Sequence, residues 1–336
     1  MRRAISHEKI ELKLITLPDS MPIVFGPVPS RRLGKSLGIN NIPPKSCTYS
    51  CVYCQLGKTS MNVVKRQVFY QSCDILKEVQ RRVINAYTRN EGIDYLTFVS
   101  DGEPTLDVNI GEEISLLKQI GIPIAVLTNA SMLWLKEVRH DLLKADYVSL
   151  KVDAVSDDLW RRIDSPHKDL KLSTILKGVQ DFAEAFKGTV VTETMLVDSV
   201  NYENEFERIA RFLAGLKKLS RAYIAVPTRP PAENWVEPAR EEVVNVAFQV
   251  FSEMLGVDRV ECLIGYEGNA FAFTGDVEED LLSIMAVHPM RDEAVKAFLG
   301  KANAGCQIIK KLLAADKLVE LEYEGYRYYM RKLTKD

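Results

Sequence analysis

The 336-residue chain contains no run of about 18 apolar residues, so no segment is long enough to span a bilayer as a helix. Nor is its charge of one sign. Against 44 Lys and Arg stand 46 Asp and Glu, a formal net charge of −2, which excludes a global basic field drawing the molecule to nucleic acid or an anionic membrane. Residues 1–20 alternate charges with short apolar pieces and lack the continuous apolar stretch of a secretory leader. A reducing cytoplasm is therefore the expected location, with no membrane partner. Histidine is scarce, four residues in all, and cysteine amounts to six. This scarcity limits what metal the chain can hold, because a structural zinc site wants four ligands.

Half of the cysteines are gathered in one run, Cys47-Thr48-Tyr49-Ser50-Cys51-Val52-Tyr53-Cys54. Three thiolates at this spacing can bind three irons of a [4Fe–4S] cube and leave the fourth iron open to another ligand. The zinc alternative lacks a nearby fourth ligand: His7 lies forty residues before Cys47, His140 is far downstream, and Cys73 is nineteen residues past Cys54. Cys73, Cys262 and Cys306 show no ligand spacing and are expected to be small buried apolar residues.

From about residue 94 the pattern alternates strand with amphipathic helix. Strands are predicted at 94–100, 123–128, 147–152, 189–197 and 221–226, with an earlier one at 36–42 just before the cysteines. Helical periodicity fills the intervals, as in the stripe Phe206, Ile209, Leu213 and Leu216. Such alternation implies parallel strands with helices outside. The expected class is α/β, a partial (β/α)6 TIM barrel over residues 23–275 after an N-terminal extension, 1–22. In such barrels the chemistry collects at the C-terminal ends of the strands, where the cysteine run falls. The proline-rich stretch 227–238 reads as a loop, and 265–275 as a link to the tail.

The cysteine run, with the aromatic Tyr53 before its third cysteine, resembles the signature of the radical S-adenosylmethionine (SAM) superfamily. The resemblance implies one [4Fe–4S] cluster on Cys47, Cys51 and Cys54, with SAM on the open iron, and an external flavodoxin- or ferredoxin-like electron donor. Reductive cleavage of SAM would give a 5′-deoxyadenosyl radical that takes hydrogen from a substrate. Asp101-Gly102-Glu103-Pro104 follows a predicted strand and resembles the superfamily's Gly-Glu-Pro motif, which holds the amino group of SAM. Glycine lets a backbone approach a ligand, and a carboxylate complements an ammonium; an ordinary turn is the other reading. Asn129, Lys151 and Asp153, at the next two strand ends, are candidates for the ribose and carboxylate of SAM, or for helix caps and strand contacts. Glu193 interrupts a β-branched run and needs a partner if it points into the barrel, so it is a candidate SAM or substrate contact. Arg31, Arg32 and Arg229 could bind an anionic substrate through two-pronged contacts, or staple loops to the barrel.

The resemblance sharpens with Ser36-Leu37-Gly38-Ile39-Asn40, Tyr53-Cys54-Gln55-Leu56-Gly57 and Arg229-Pro230-Pro231-Ala232-Glu233. Together they resemble an iron–sulfur oxidoreductase group related to wyosine-base synthases, over most of residues 23–275. Two departures stand against tricyclic guanosine formation. Gln55-Leu56 replaces the Trp-Arg pair of those enzymes, and no cysteine precedes Cys47 for a second cluster.

Residues 276–336 change character to helix, helix, turn, helix and a hairpin tipped by Glu324-Gly325, a pattern that looks like a winged helix. Its charge, 10 Lys and Arg against 11 Asp and Glu, is not that of a duplex binder. Gln307, Lys310, Lys311, Arg327, Arg331 and Lys332 offer at most a local patch. Two functions are expected. One is a radical enzyme modifying a macromolecule, RNA or peptide, docked by the tail. The other is a SAM- or redox-responsive regulator whose winged helix reads DNA.

Overall fold

The computed structural model describes residues 22–332, so the expected N-terminal extension lies outside the described residues except for Pro22. The chain opens with an antiparallel pair, β1 (Val24–Ser30) and β2 (Gly34–Ile39). A two-rung parallel ladder, β3 (Ser46–Cys47) with β4 (Met61–Asn62), brackets the cysteine loop. After α1 (Ser72–Thr88) come β5 (Tyr95–Phe98), α2 (Ile110–Leu117), β6 (Ile124–Thr128), α3 (Lys136–Leu142) and β7 (Tyr147–Lys151). The alternation continues through α4 (Asp157–Asp164), α5 (Leu172–Ala185), β8 (Thr189–Met195), α6 (Glu205–Ala214), β9 (Leu219–Ala225), α7 (Glu241–Leu255) and β10 (Val260–Leu263).

The main sheet runs in the order β1-β2-β5-β6-β7-β8-β9-β10, and every pairing from β2 onward is parallel. The chain is thus an α/β protein built on a partial TIM barrel. Its parallel strands number one more than expected, because β10 carries a weak apolar signal. Strands covered on both faces read as apolar runs, as in Ile124-Ala125-Val126, all fully buried. The helices turn one face to the sheet; Ile175, Val179 and Phe182 of α5 are buried in this way.

The sheet does not close, and the turn between its edge strand and β2 fills the gap. Arg31 Nη1 donates to the carbonyls of Leu263, at the end of β10, and of Gly265, at 2.9 Å. The same turn pushes Leu33 in among Tyr147, Val191, Tyr223 and Leu263, which plugs the barrel floor.

The tail contains α8 (Val277–Val287), β11 (Met290–Arg291), α9 (Asp292–Lys301), α10 (Gln307–Ala314), β12 (Leu318–Tyr323) and β13 (Tyr326–Arg331), with sheet order β11-β13-β12. Asp276 caps α8 by accepting from Glu279 N at 2.9 Å, which places an element boundary where the sequence change falls. The tail does not have a core of its own, however. Leu281, Ile284, Met285 and Phe298 pack in one cluster with Phe25 and Val28 of β1 and with Phe271. Arg82 of α1 pairs with Asp280 of α8 at 2.5 Å, both side chains 1 % exposed. Tyr328 of the hairpin donates to the carbonyl of Thr228 at 2.9 Å. The expectation of burial for the scattered cysteines also needs correction: Cys73 and Cys306 are exposed and Cys262 is half-buried. No helix among the described residues is long and apolar enough to cross a membrane.

Candidate active site

Where β2 ends, the chain passes through Pro43-Pro44 and enters the cysteine loop. Ser50 N donates to Asp164 O at 3.1 Å and Val52 N to Ile163 O at 2.9 Å, strapping the loop to the C-terminus of α4. Cys54 N to Cys51 O at 3.1 Å and Gly57 N to Cys54 O at 3.0 Å form two successive turns. This winding turns Cys47, Cys51 and Cys54 onto one cavity of about 380 Å³ at the C-terminal ends of the strands. Burial pushes the Cys47 thiol up to about 12 and raises Cys51 and Cys54 as well. Thiolates there need a cation beside them. Three half-buried thiols facing one space therefore fit an iron–sulfur cluster, and Asn129 Nδ2 lies 3.5 Å from Cys47 Sγ as a further donor to sulfur.

Gly102 lines the same cavity. A Cβ there would collide with the carbonyl oxygen of Ser46, so only glycine lets the turn after β5 lie flat against the segment entering the cysteine loop. Glu103 N donates to that same carbonyl at 3.1 Å.

The carboxylate of Glu103 departs from the expectation. It is fully buried, behind Thr128 and Asn129, which line the cavity while Glu103 does not. Its Oε1 accepts from Thr105 N at 3.0 Å, Thr105 Oγ1 at 2.5 Å and Thr128 Oγ1 at 2.6 Å, while Oε2 accepts from Asn129 N at 2.8 Å. Burial raises its pKa against the pull of these bonds. Glu103 ties the end of β5 to the end of β6, with Oε1 accepting three of the four bonds and Oε2 one, and Pro104 opens the 3₁₀ turn beside it. Asp153 is corrected for the same reason: its Oδ2 accepts from Tyr53 OH, its Oδ1 from Met195 N at 2.8 Å, and it is 2 % exposed.

The remaining candidates do meet in the lumen. Asn129 donates from Nδ2 to Thr48 Oγ1 at 2.9 Å and accepts from Ser131 N at 2.9 Å, which fixes its amide at the cavity wall. Lys151 ends β7 with its Nζ 2.9 Å from Glu193 Oε1 and 4.8 Å from the centre of the Tyr53 ring. Arg32 Nη1 lies 2.5 Å from Glu193 Oε2 and 3.1 Å from Ser149 Oγ. Burial alone would raise the carboxyl of Glu193, but Arg32 and Lys151 outweigh it and hold the group below its ordinary range. Burial opposes the charge of Lys151, yet Asp153 and Glu193 raise its pKa on balance. Glu193 is thus shared between two cations, Arg32 and Lys151, and Asp153 acts on the second of them.

Arg31 uses its guanidinium to staple the turn, as its carbonyl contacts show. Arg229 meets residues that sequence reasoning passed over. Its Nη1 donates to Gln55 Oε1 at 2.8 Å, its Nη2 lies 2.9 Å from His288 Nε2, and it pairs with Glu267. His288 precedes Pro289 just past the end of α8, and nothing in local pattern tells that the end of α8 reaches the barrel lumen. Asp101, just before Gly102, also lines the cavity, and burial pushes it up to about 7. In the tail, Lys311 pairs with Glu278 at 2.8 Å, Arg327 with Glu320 at 3.3 Å and Lys332 with Asp316 at 2.5 Å. The local basic patch is thereby largely neutralised.

The family model of the Radical SAM superfamily matches residues 41–213, which span the cysteine loop and the strands bearing Gly102, Asn129, Lys151 and Glu193. The chain belongs to the radical SAM superfamily and is a radical SAM enzyme. It is 47% identical to a UPF0026 protein of Methanocaldococcus jannaschii over 93% of this chain and 97% of that one. A UPF0026 protein of Synechocystis is 37% identical over 63% of this chain and 77% of its own length. Among solved structures, a radical SAM methyltransferase from Sphaerobacter thermophilus superposes with a TM-score of 0.52 over 69% of this chain and 66% of that one, at 15% identity. That last likeness is one of fold. Membership of the superfamily implies SAM and a [4Fe–4S] cluster as cofactors.

Proposed function

We propose that Cys47, Cys51 and Cys54 hold one [4Fe–4S] cluster, and that SAM lies between it and the wall formed by Gly102, Asn129 and Lys151. Bound together, the two groups would supply a 5′-deoxyadenosyl radical for hydrogen abstraction from a substrate. The observation that carries this reading is the convergence of the three thiols and these strand-end groups on one cavity. The residues divide the remaining work. Asn129 presents a fixed amide to hydroxyls, Lys151 presents an ammonium to a carboxylate, and Glu193 keeps Lys151 charged and holds it in line with Arg32. Tyr53, between Asp153 and Lys151, closes the wall behind the loop.

A cavity of about 380 Å³ suits a small molecule or the projecting part of a larger one. If the substrate is RNA or peptide, one base, side chain or terminus enters the lumen while the body remains outside, next to the tail. The order of elements in the tail supports a winged-helix reading, and its paired lysines and arginines favour the enzyme over a DNA-reading regulator. A flavodoxin- or ferredoxin-like donor would deliver the electron in the cytoplasm. The test is chromatography of anaerobically reconstituted, dithionite-reduced protein incubated with SAM. Slow formation of 5′-deoxyadenosine and methionine is expected, and none from cluster-replete protein would overturn the reading.

A further inference from the structure

The contacts of Arg229 extend the active site into the tail. Arg229 comes from the loop after β9, Glu267 from the link after β10 and His288 from the end of α8, and all three line the cavity that holds the cysteines. Gln55, next to Cys54, locks the arrangement: it accepts from Arg229 and donates from Nε2 to Val287 O at 2.8 Å. The tail is therefore a wall of the reaction chamber.

Within this wall the polar groups are imperfectly matched. The side chain of Glu267 is 4 % exposed and sits against Arg229, with Oε1 2.8 Å from His288 Nε2. Yet neither carboxylate oxygen makes a well-formed hydrogen bond, and Arg229 Nε is buried without a partner. A buried guanidinium with a free Nε beside a buried carboxylate with an unpartnered second oxygen calls for an explanation. Glu267 is carried on irregular chain between Gly265 and Gly268, where an added Cβ would meet nothing within 4 Å. Gly268 also has φ of +93°, a backbone conformation that glycine adopts freely.

We propose that Arg229 and His288 form a subsite for an acidic group of the substrate, a carboxylate or phosphate, and that Glu267 is an internal stand-in that the substrate displaces. A planar or tetrahedral anion free to orient itself can engage Arg229 through two donors, including the unsatisfied Nε, which the tethered carboxylate does not do. This assignment rests on the radical SAM reading above only for the identity of the chamber.

The chain has four histidines, so ¹⁵N-histidine NMR of the anaerobic, cluster-loaded protein can follow His288 alone, assigned with H288N. Inorganic phosphate and succinate serve as probes, with butyramide as the neutral control. Saturable shifts of the His288 signal are expected with phosphate, succinate or both, and the stronger binder identifies the source of the acidic group. Glu267→Gln should tighten that binding several-fold by removing the competitor. Arg229→Gln should weaken it roughly tenfold or more, and if that variant loses the signals of the other histidines, Arg229→Lys decides, with the same direction expected. No shift with either anion, a shift equal to that with butyramide, or affinity unaltered in Glu267→Gln would overturn the subsite and leave the three residues as a staple between tail and barrel. Formation of 5′-deoxyadenosine, measured on the same samples, reports separately on the radical SAM reading.

Discussion

Glu103 shows how a residue found through a motif can be built into the fold that carries the site. Four donors reach its buried carboxylate, so truncation leaves them without their acceptor. Glu103→Ala should therefore lower the unfolding free energy of the cofactor-free protein by roughly 3 kcal/mol or more, read as a shift of the urea midpoint. An unchanged midpoint together with weakened SAM binding would instead restore the direct contact with the ligand. The cysteines and Gly102 were legible in sequence because their chemistry is local: thiol spacing sets which irons can be reached, and a glycine marks a close approach. Glu103 and Asp153 were legible as polar strand-end residues but not in their direction. Whether such a side chain turns to the lumen or back toward the next strand depends on donors that come from elsewhere, here Thr128 and Asn129 for the first and Met195 for the second.

Among the elements, the alternation of strands and helices was plain from the period of apolar residues, whereas β10 and the long α1 were not. In α1 the face toward the core includes Arg82, which breaks the apolar stripe, and its burial depends on acceptors from elsewhere, chiefly Asp280 of α8 together with Thr274 and Glu279. This pair, with the core shared between β1 and the tail, makes α8 part of the barrel's own packing. Asp280→Ala removes the buried one of the two carboxylates on the Arg82 guanidinium, leaving the half-exposed Glu279 at 3.0 Å, and should cost about 3 kcal/mol. Cutting the chain after Gly275 should be worse, since Phe25, Val28 and Phe271 lose their cover. The cut protein should aggregate or fail to retain its cluster. Thermal scans and gel filtration check both, and a soluble, cluster-bearing protein ending at Gly275 would show that the barrel packs without its tail. Periodicity within a segment reveals that the segment has an apolar face; it does not reveal what covers that face.

At the scale of the molecule, near-neutral charge, an unclosed barrel and a tail packed on its edge strand give one chamber reached by three parts of the chain. The cysteine loop brings sulfur, the strand ends bring fixed polar groups, and the end of α8 brings His288. The central claim is that the thiols of Cys47, Cys51 and Cys54 hold one cluster with an iron left open for SAM. Electron paramagnetic resonance of the reduced, anaerobically reconstituted protein tests it most directly. The account predicts a [4Fe–4S]⁺ signal in the native chain that changes shape when SAM is added, and no such signal in the Cys47→Ala, Cys51→Ala, Cys54→Ala triple variant. A signal indifferent to SAM, or one that survives in the triple variant, would contradict it.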